Sequence, residues 1–380
     1  MPTSPDLSIL DTPSLLLDER RMMRNIARLS ERAGTLGVTL RPHLKTCKNA
    51  EIARRLTGGG TGPVTVSTLA EAERFFDAGF TDILYAVGIA PQKLPRVSAL
   101  RDKGCDLTVI LDNRVQAAAA AKASQATGQA IPVLIEIDSD GHRGGLLPDD
   151  PALTEIGRLL HAWGAELRGV LTHAGECYGA QGPEAQAAFA EKERVAVVRA
   201  AQALRDAGLA CPVVSVGSTP TAHAVRVLTG VTELRAGVYV FFDLVMAGIG
   251  VCTQDDIALS VLTTVIGQKP ERGWILVDAG WMVLSRDRGT AAQPVDQGYG
   301  VVCTATGEIL PDLILSAANQ EHGIITLRPG PASTLPDLPV GTRLRILPNH
   351  ACATAAQHSH YNVIPATGTD LAVWPRFGGW

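Results

Sequence analysis

The chain of 380 residues has no run of the roughly 18 apolar residues that a membrane-spanning helix needs. Its N-terminus, MPTSPDLSILDTPSLLLDE, lacks the basic segment and long apolar core of a secretory leader, so cytoplasmic residence without membrane contact is expected. Basic runs are missing too. With 34 Lys+Arg against 38 Asp+Glu, the formal net charge of -4 leaves no footprint for nucleic acid, and the expected ligand is a small molecule. The seven cysteines (Cys47, Cys105, Cys177, Cys211, Cys252, Cys303, Cys352) are odd in number and contain no CxxC pair, which fits reduced thiols rather than a disulfide framework. There is no internal repeat, and no low-complexity tract beyond an alanine-rich helix near residue 120.

What is present is alternation. From about residue 37 to residue 240 the runs VTLRPH, PVTVST, DILYAVG, DLTVILDN, PVLIEID, LRGVLTHAG, PVVSVGS and TELRAGVYV read as strands. Helix-like segments rich in Ala, Leu, Arg and Glu, often closed by Gly, lie between them. Eight such units imply a parallel sheet closed into a (β/α)8 TIM barrel, with an open doubly wound sheet as the competing arrangement. After Asp243 the long helices stop, and IALSVLTTVIG, GWILVDAGW, GYGVVC, LILSAA, HGIITL and TRLRILPN read as a second, mainly β domain. The expected division is a barrel over 15–245 and a β domain over 246–380 joined by 1–14.

A barrel of this kind carries its active site at the C-terminal ends of its strands, and polar residues are dense there. The first strand ends in RPHLKT, with Arg41, His43 and Lys45; the fifth carries Glu136, Asp138, Asp140, His142 and Arg143; the sixth ends in Thr172 and His173, with Tyr178 close behind. GSTPT (Gly217 to Thr221) puts Gly, Ser and Thr where a helix starts after a strand. That suits an anion such as phosphate, although Ser218 or Thr219 could equally serve as a plain N-cap. A strand-end lysine facing a phosphate site suggests pyridoxal phosphate held by Lys45, because burial and nearby cations favour the free amine that forms the imine. Lys48 reads as a solvated control. In PNHAC, His350 and Cys352 stand two apart, which in an extended segment places imidazole and thiolate on one side for a shared metal ion; sulfur plus nitrogen favours zinc. His358 and His360 repeat the spacing.

These motifs are similar to those of a known family. LDTPSLLLD, RPHLKT, VSTLAEAERF, DILYAVG, IEIDSDGHRGG, LTHAG, VSVGSTPT, ELRAGVYVFFD, VDAGWM, NQEHG and PNHACAT, in this order and nearly end to end, resemble the fold-type III pyridoxal-phosphate enzymes of the alanine-racemase-like group. That group contains D-serine dehydratases, D-threonine aldolases and 3-hydroxyaspartate dehydratases. The resemblance implies that Lys45 is the Schiff-base lysine and that Arg143 approaches the ring near its phenolic oxygen. It places Tyr178 in the pocket, Gly217, Ser218, Thr219, Gly237 and Val238 around the phosphate, and Arg235 or Tyr239 near the ring. It also implies a divalent metal on His350 and Cys352: zinc, manganese, cobalt or magnesium.

Aldolases of the group typically carry aspartate where this chain has Cys352, so the resemblance implies a dehydratase of D-configured 3-hydroxy amino acids, D-threo-3-hydroxyaspartate first among them. In that reaction Lys45 removes the α-proton and the metal assists loss of the 3-hydroxyl, giving oxaloacetate and ammonia. The alternatives are D-serine as substrate, or retro-aldol cleavage of D-threonine or 3-hydroxyaspartate with His43 as candidate base. A non-catalytic cofactor carrier is the reading from outside enzymes, and the β domain with its His/Cys pair argues against it. A homodimer is the family expectation.

Overall fold

A computed structural model of the protein describes residues 5–330 and 334–380. It forms two compact units, one of Ala27–Gly237 and one of the N-terminal residues to Ile26 with Val238–Gly378. Strand β1 spans Ser14–Asp18. In the first unit β2 (Thr39–Pro42), β3 (Val64–Val66), β4 (Asp82–Gly88), β5 (Asp106–Leu111), β6 (Pro132–Ile137), β7 (Glu166–Thr172), β8 (Val213–Val216) and β9 (Glu233–Ala236) are the eight anticipated strands. They form one parallel sheet in the order β2-β9-β8-β7-β6-β5-β4-β3. Its ends meet where His43 bridges Thr65 and the Leu44 N–H donates to the Thr65 carbonyl at 2.8 Å. The RPHLKT segment thus closes the barrel, and the open doubly wound alternative falls.

The polar residues after the strands shape the turns. Asn49, Thr68, Asn113 and Ser218 each leave the strand path in extended conformation and accept the N–H of the residue three further on, starting the helices Ala50–Leu56, Leu69–Asp77, Arg114–Thr127 and Thr219–Ala224. Inside, Leu84, Ile110, Leu134 and Leu171 of β4 to β7 pack as one buried cluster. Strands β2, β8 and β9 instead supply Arg41, Ser215, Glu233 and Arg235.

The second unit holds a nine-stranded sheet ordered β11-β14-β13-β12-β15-β10-β1-β16-β17. Its further strands are β10 (Leu259–Lys269), β11 (Trp274–Val277), β12 (Gly300–Thr304), β13 (Ile309–Ala318), β14 (Gly323–Leu327), β15 (Arg343–Pro348), β16 (His360–Ile364) and β17 (Ala372–Pro375). Because β10 pairs with both β15 and β11, six strands close into an antiparallel β-barrel. The N-terminal half of β10 pairs with β1, which also runs parallel to β16. Ser14–Asp18, within the strand-like segment LSILDTPSLLLDE that the sequence allowed to join the β domain, lies in this sheet, and the units divide at Ile26/Ala27 and Gly237/Val238, where 14/15 and 245/246 were expected. Strands β16 and β17 were not anticipated. No helix among the described residues is long and apolar enough to cross a membrane.

Candidate active site

Lys45 stands three residues beyond β2, in the turn that closes the barrel, and it is exposed rather than buried. Its backbone N–H donates to His43 Nδ1 at 3.4 Å, and the His43 ring also hydrogen-bonds the Thr65 backbone. Burial first, then the charges of Lys45, Arg235 and His173, push the His43 pKa well below its ordinary value. A neutral imidazole with both sides engaged suits a brace for the lysine turn better than a mobile base. The turn has a second brace. Lys48, expected to be solvated, has a side chain only 17% exposed and pairs at 2.9 Å with Glu71, whose side chain is 2% exposed. Glu71 also accepts the Ser67 N–H at 2.9 Å, so the pair ties the lysine turn to the start of the helix Leu69–Asp77, beyond β3.

His173, just after β7, donates through Nδ1–H to the Gly217 carbonyl at 3.0 Å. Its pKa falls to about 3, chiefly through burial, with Lys45, Arg143 and Arg235 adding to the fall against the opposing pull of that carbonyl. The Tyr178 ring lies 6.3 Å from the His173 ring, tilted by 51°. Arg143 is 3.8 Å from Glu136, with side chains 61% and 13% exposed, so its guanidinium stays open to a ligand. The loops bearing Arg143 and Tyr178 are latched together: His142 Nδ1 meets Glu176 at 2.7 Å, and the Glu176 N–H donates to Asp140 at 2.9 Å.

The glycine-rich loop behaves differently from expectation in one respect. The Gly217 N–H does not stand free: it donates at 2.8 Å to Glu193, a fully buried carboxylate that also accepts the Ala174 N–H at 3.2 Å. Burial raises the Glu193 pKa against those donors. Ser218 is spent as an N-cap, its hydroxyl and N–H both engaged with Thr221 in a capping box. The group left over is Thr219, whose Oγ1 is buried and has no hydrogen-bond partner. Gly237 supplies close approach, since a Cβ there would lie 3.1 Å from the His43 carbonyl oxygen. Val238 and Tyr239 follow in the buried 3-10 turn Val238–Val240, which belongs to the other unit.

Arg235 is fully buried and donates to the Ser215 hydroxyl and the Thr172 carbonyl. From Ser215 the chain of contacts continues to Glu233 (2.6 Å), from Glu233 to Arg41 (2.5 Å), and from Arg41 to Asp82 (2.7 Å). Each charge in this strand-to-strand series meets an opposite or polar group, which is what makes buried ions tolerable. Its effect is to fix the Arg235 guanidinium where its charge also bears on His43, His173 and Glu136. Sequence reading named Arg235 but missed Glu233, Ser215 and Glu193.

In the β unit His350 and Cys352 come together, though by another geometry than the extended one expected. His350 is the extended N-cap of the short helix Ala351–Ala355, and Cys352 lies in its first turn. Asp287 Oδ2 holds His350 Nδ1 at 2.6 Å. Burial opposes a charge on His350, but Asp287, Cys352 and Asp243 outweigh it and raise the pKa to about 11. The helix start is anchored by Asp243, which accepts the Ala351 N–H at 2.9 Å. His358 and His360 do not join the pair: His358 Nε2 bonds the Val283 carbonyl at 2.9 Å, and His360 sits exposed on β16 against Ser359. Among the described residues no three His, Cys, Asp or Glu side chains are arranged to hold a metal.

The family model for the alanine racemase N-terminal domain matches residues 17–245, and that for a putative serine dehydratase domain matches residues 258–364. The chain belongs to the alanine-racemase-like family that carries a D-serine dehydratase domain. It is 55% identical over 377 residues to D-threo-3-hydroxyaspartate dehydratase of Delftia sp. (strain HT23), covering 98% of this chain and 99% of the relative. It is 31% identical to D-serine dehydratase of Dictyostelium discoideum, covering 94% of each. Among solved structures it resembles a cysteine-to-alanine mutant of D-threo-3-hydroxyaspartate dehydratase in the metal-free form, with a TM-score of 0.95 at 55% identity over 98% of this chain and 99% of that one.

The residues of this family member fit a phosphorylated cofactor. The orphaned Thr219 Oγ1 offers a hydroxyl donor at the start of the helix after β8. The glycine before it is required by the strand next door, because at Gly217 φ is 137° and a Cβ would lie 1.9 Å from the Arg235 carbonyl oxygen. Gly217→Ala is expected to cost at least about 1–3 kcal/mol from backbone conformation alone and to weaken cofactor retention. Denaturant titration and absorbance after dialysis measure both, and a variant as stable and as cofactor-loaded as the parent would remove Gly217 from the cradle.

The residues of the β unit fit a divalent transition metal. A ligating histidine commonly hands its other ring N–H to a carboxylate, which is what Asp287 receives, leaving Nε2 for the ion. Two protein ligands leave positions open for substrate. Asp287→Asn should lower metal affinity roughly 10–100-fold. Competition against a chromophoric chelator reads this directly, and unchanged affinity would mean that Asp287 does not orient the ligand.

Proposed function

We propose that the protein is a dehydratase that converts D-threo-3-hydroxyaspartate to oxaloacetate and ammonia, with pyridoxal phosphate and a divalent metal as cofactors. The observation that carries this reading is the 55% identity to the Delftia enzyme over essentially the whole of both chains. Pyridoxal phosphate, when bound, supplies an electron sink for charge at the substrate α-carbon, and a divalent ion supplies a Lewis acid that makes hydroxide a tolerable leaving group.

The chain's own part is as follows. Thr219, beside the turns at Gly217 and Gly237, would hold the phosphate, and Lys45 would hold the aldehyde carbon. Lys45 Nζ would take the α-proton, from a turn pinned by His43 and by the Lys48–Glu71 pair. Arg143 would lie near the phenolic oxygen and Tyr178 along the pocket wall. Arg235, held by Ser215 and Thr172, keeps a fixed positive charge beneath the site. His350 Nε2 and Cys352 Sγ would ligate the metal, zinc being favoured by the sulfur–nitrogen donor set. Elimination of water, then addition of water to the resulting enamine, releases ammonia and the 2-oxo acid.

The test offers D-threo-3-hydroxyaspartate, the other 3-hydroxyaspartate stereoisomers, D-serine and D-threonine, each scored for ammonia and for glycine. Ammonia in step with oxaloacetate, from the D-threo isomer foremost, is the expected result. Glycine with glyoxylate would make the enzyme an aldolase instead.

A further inference from the structure

A cavity of about 690 Å³ in the β unit is lined by Asp18 at the end of β1, by Arg20, by Thr306 in the turn after β12, by Arg343 and Arg345 of β15, and by Thr367 after β16. Its arginines are not alike. Arg343 is fully committed, donating to the carbonyls of Leu7 (2.6 Å), Leu10 (2.8 Å) and Ser8 (3.1 Å), and so pins the N-terminal segment. Arg20 donates one terminal nitrogen to the Ala366 carbonyl at 2.9 Å. Arg345 has no hydrogen bond or ion pair with any described residue, and its Nε is completely buried without a partner.

A guanidinium does not deprotonate in proteins, so Arg345 carries a largely buried positive charge that lacks a direct counter-ion. Of the two carboxylates of the cavity, Asp18 acts on Arg345 through space and without a contact, and both are engaged elsewhere. Asp18 accepts the Arg21 N–H at 2.9 Å and faces Arg21 Nε at 3.5 Å, and Asp6 accepts the Ser8 N–H at 2.8 Å. Gly307, with φ of 94°, adds no side chain where a Cβ would come 3.3 Å from an Arg345 terminal nitrogen.

We propose that this cavity is a binding site for a small oxyanion, with Arg345 as its fork and Arg20 as its second cation. Two cations with donors to spare favour a doubly charged ligand, and a guanidinium fork matches the paired oxygens of phosphate and of carboxylate alike. The class is therefore inorganic phosphate or a short dicarboxylate. The site is independent of the cofactor cradle and of the reaction proposed above.

The experiment titrates the cofactor-loaded, metal-loaded enzyme with inorganic phosphate and, separately, with succinate, reading calorimetric binding and the thermal midpoint, with chloride at matched ionic strength as control. Saturable binding of one or both, weakened at least tenfold in Arg345→Gln and in Arg20→Gln, is expected; the ligand that binds identifies the source. Arg20, at the cavity rim, provides the readout if Arg345→Gln fails to fold. Absence of saturable binding by either anion, or binding undiminished in the variants, would overturn the proposal.

Discussion

Lys45→Ala is expected to lose both the visible absorbance of a covalently held pyridoxal phosphate and turnover. Removal of the α-proton is general-base work, a contribution of about 10²–10⁴ in rate, and loss of the covalent attachment adds to it. The effect should not be reproduced at Lys48. That amine is 2.9 Å from the Glu71 carboxylate in a nearly dry setting, so it is committed to an ion pair and is a poor nucleophile. Borohydride reduction of the loaded enzyme followed by peptide mapping should therefore mark Lys45 alone. If the absorbance persists in Lys45→Ala, or the label appears on another lysine, the assignment is wrong, whatever happens to activity.

The contrast between these two lysines shows what the sequence could reveal. The eight barrel strands were legible because each is a short apolar run that breaks into polar residues, four of which, Asn49, Thr68, Asn113 and Ser218, cap the helix that follows. The place of Lys45 just past a strand end was legible from such a run. Lys48 was not, because its partner Glu71 lies on a helix beyond the next strand and only closure of the barrel brings the two together. The same holds for the series from Asp82 through Arg41, Glu233 and Ser215 to Arg235, whose members come from four strands; nothing local in any strand signals that its charge will be matched inside the barrel.

Backbone accounting was the other hidden quantity. GSTPT reads as a row of free donors, but two of them are consumed, one by Glu193 from a long helix and one by the capping box, which leaves the Thr219 hydroxyl as the spare side-chain donor in that loop. At the other end of the chain His350 and Cys352 are neighbours, as their spacing suggested, but not along an extended segment. The segment turns into a helix at Ala351, because Asp243 takes that residue's N–H. The imidazole and thiol meet across a helix start instead of along a strand.

Cys352→Ala separates the two halves of the proposed chemistry. With the thiolate gone, one imidazole remains among the assigned ligands, and His350 stays anchored to Asp287 at 2.6 Å, so the fold around the site has no reason to collapse. The cysteine is at an intermediate depth, and the change to alanine removes one atom from the side chain at the first turn of a short helix without disturbing a cap. Metal content should therefore fall to background while the cofactor absorbance stays, because the Lys45 cradle is built from the barrel's own residues. Elimination should drop by several orders of magnitude, since the leaving hydroxide no longer has a Lewis acid. Chelator treatment of the parent enzyme should give the same pair of readings, and readdition of zinc should restore the parent but not the variant. A variant that holds its full complement of metal would remove Cys352 from the ligand set; one that loses metal yet still releases ammonia at the parent rate would show that departure of the 3-hydroxyl needs no metal at all.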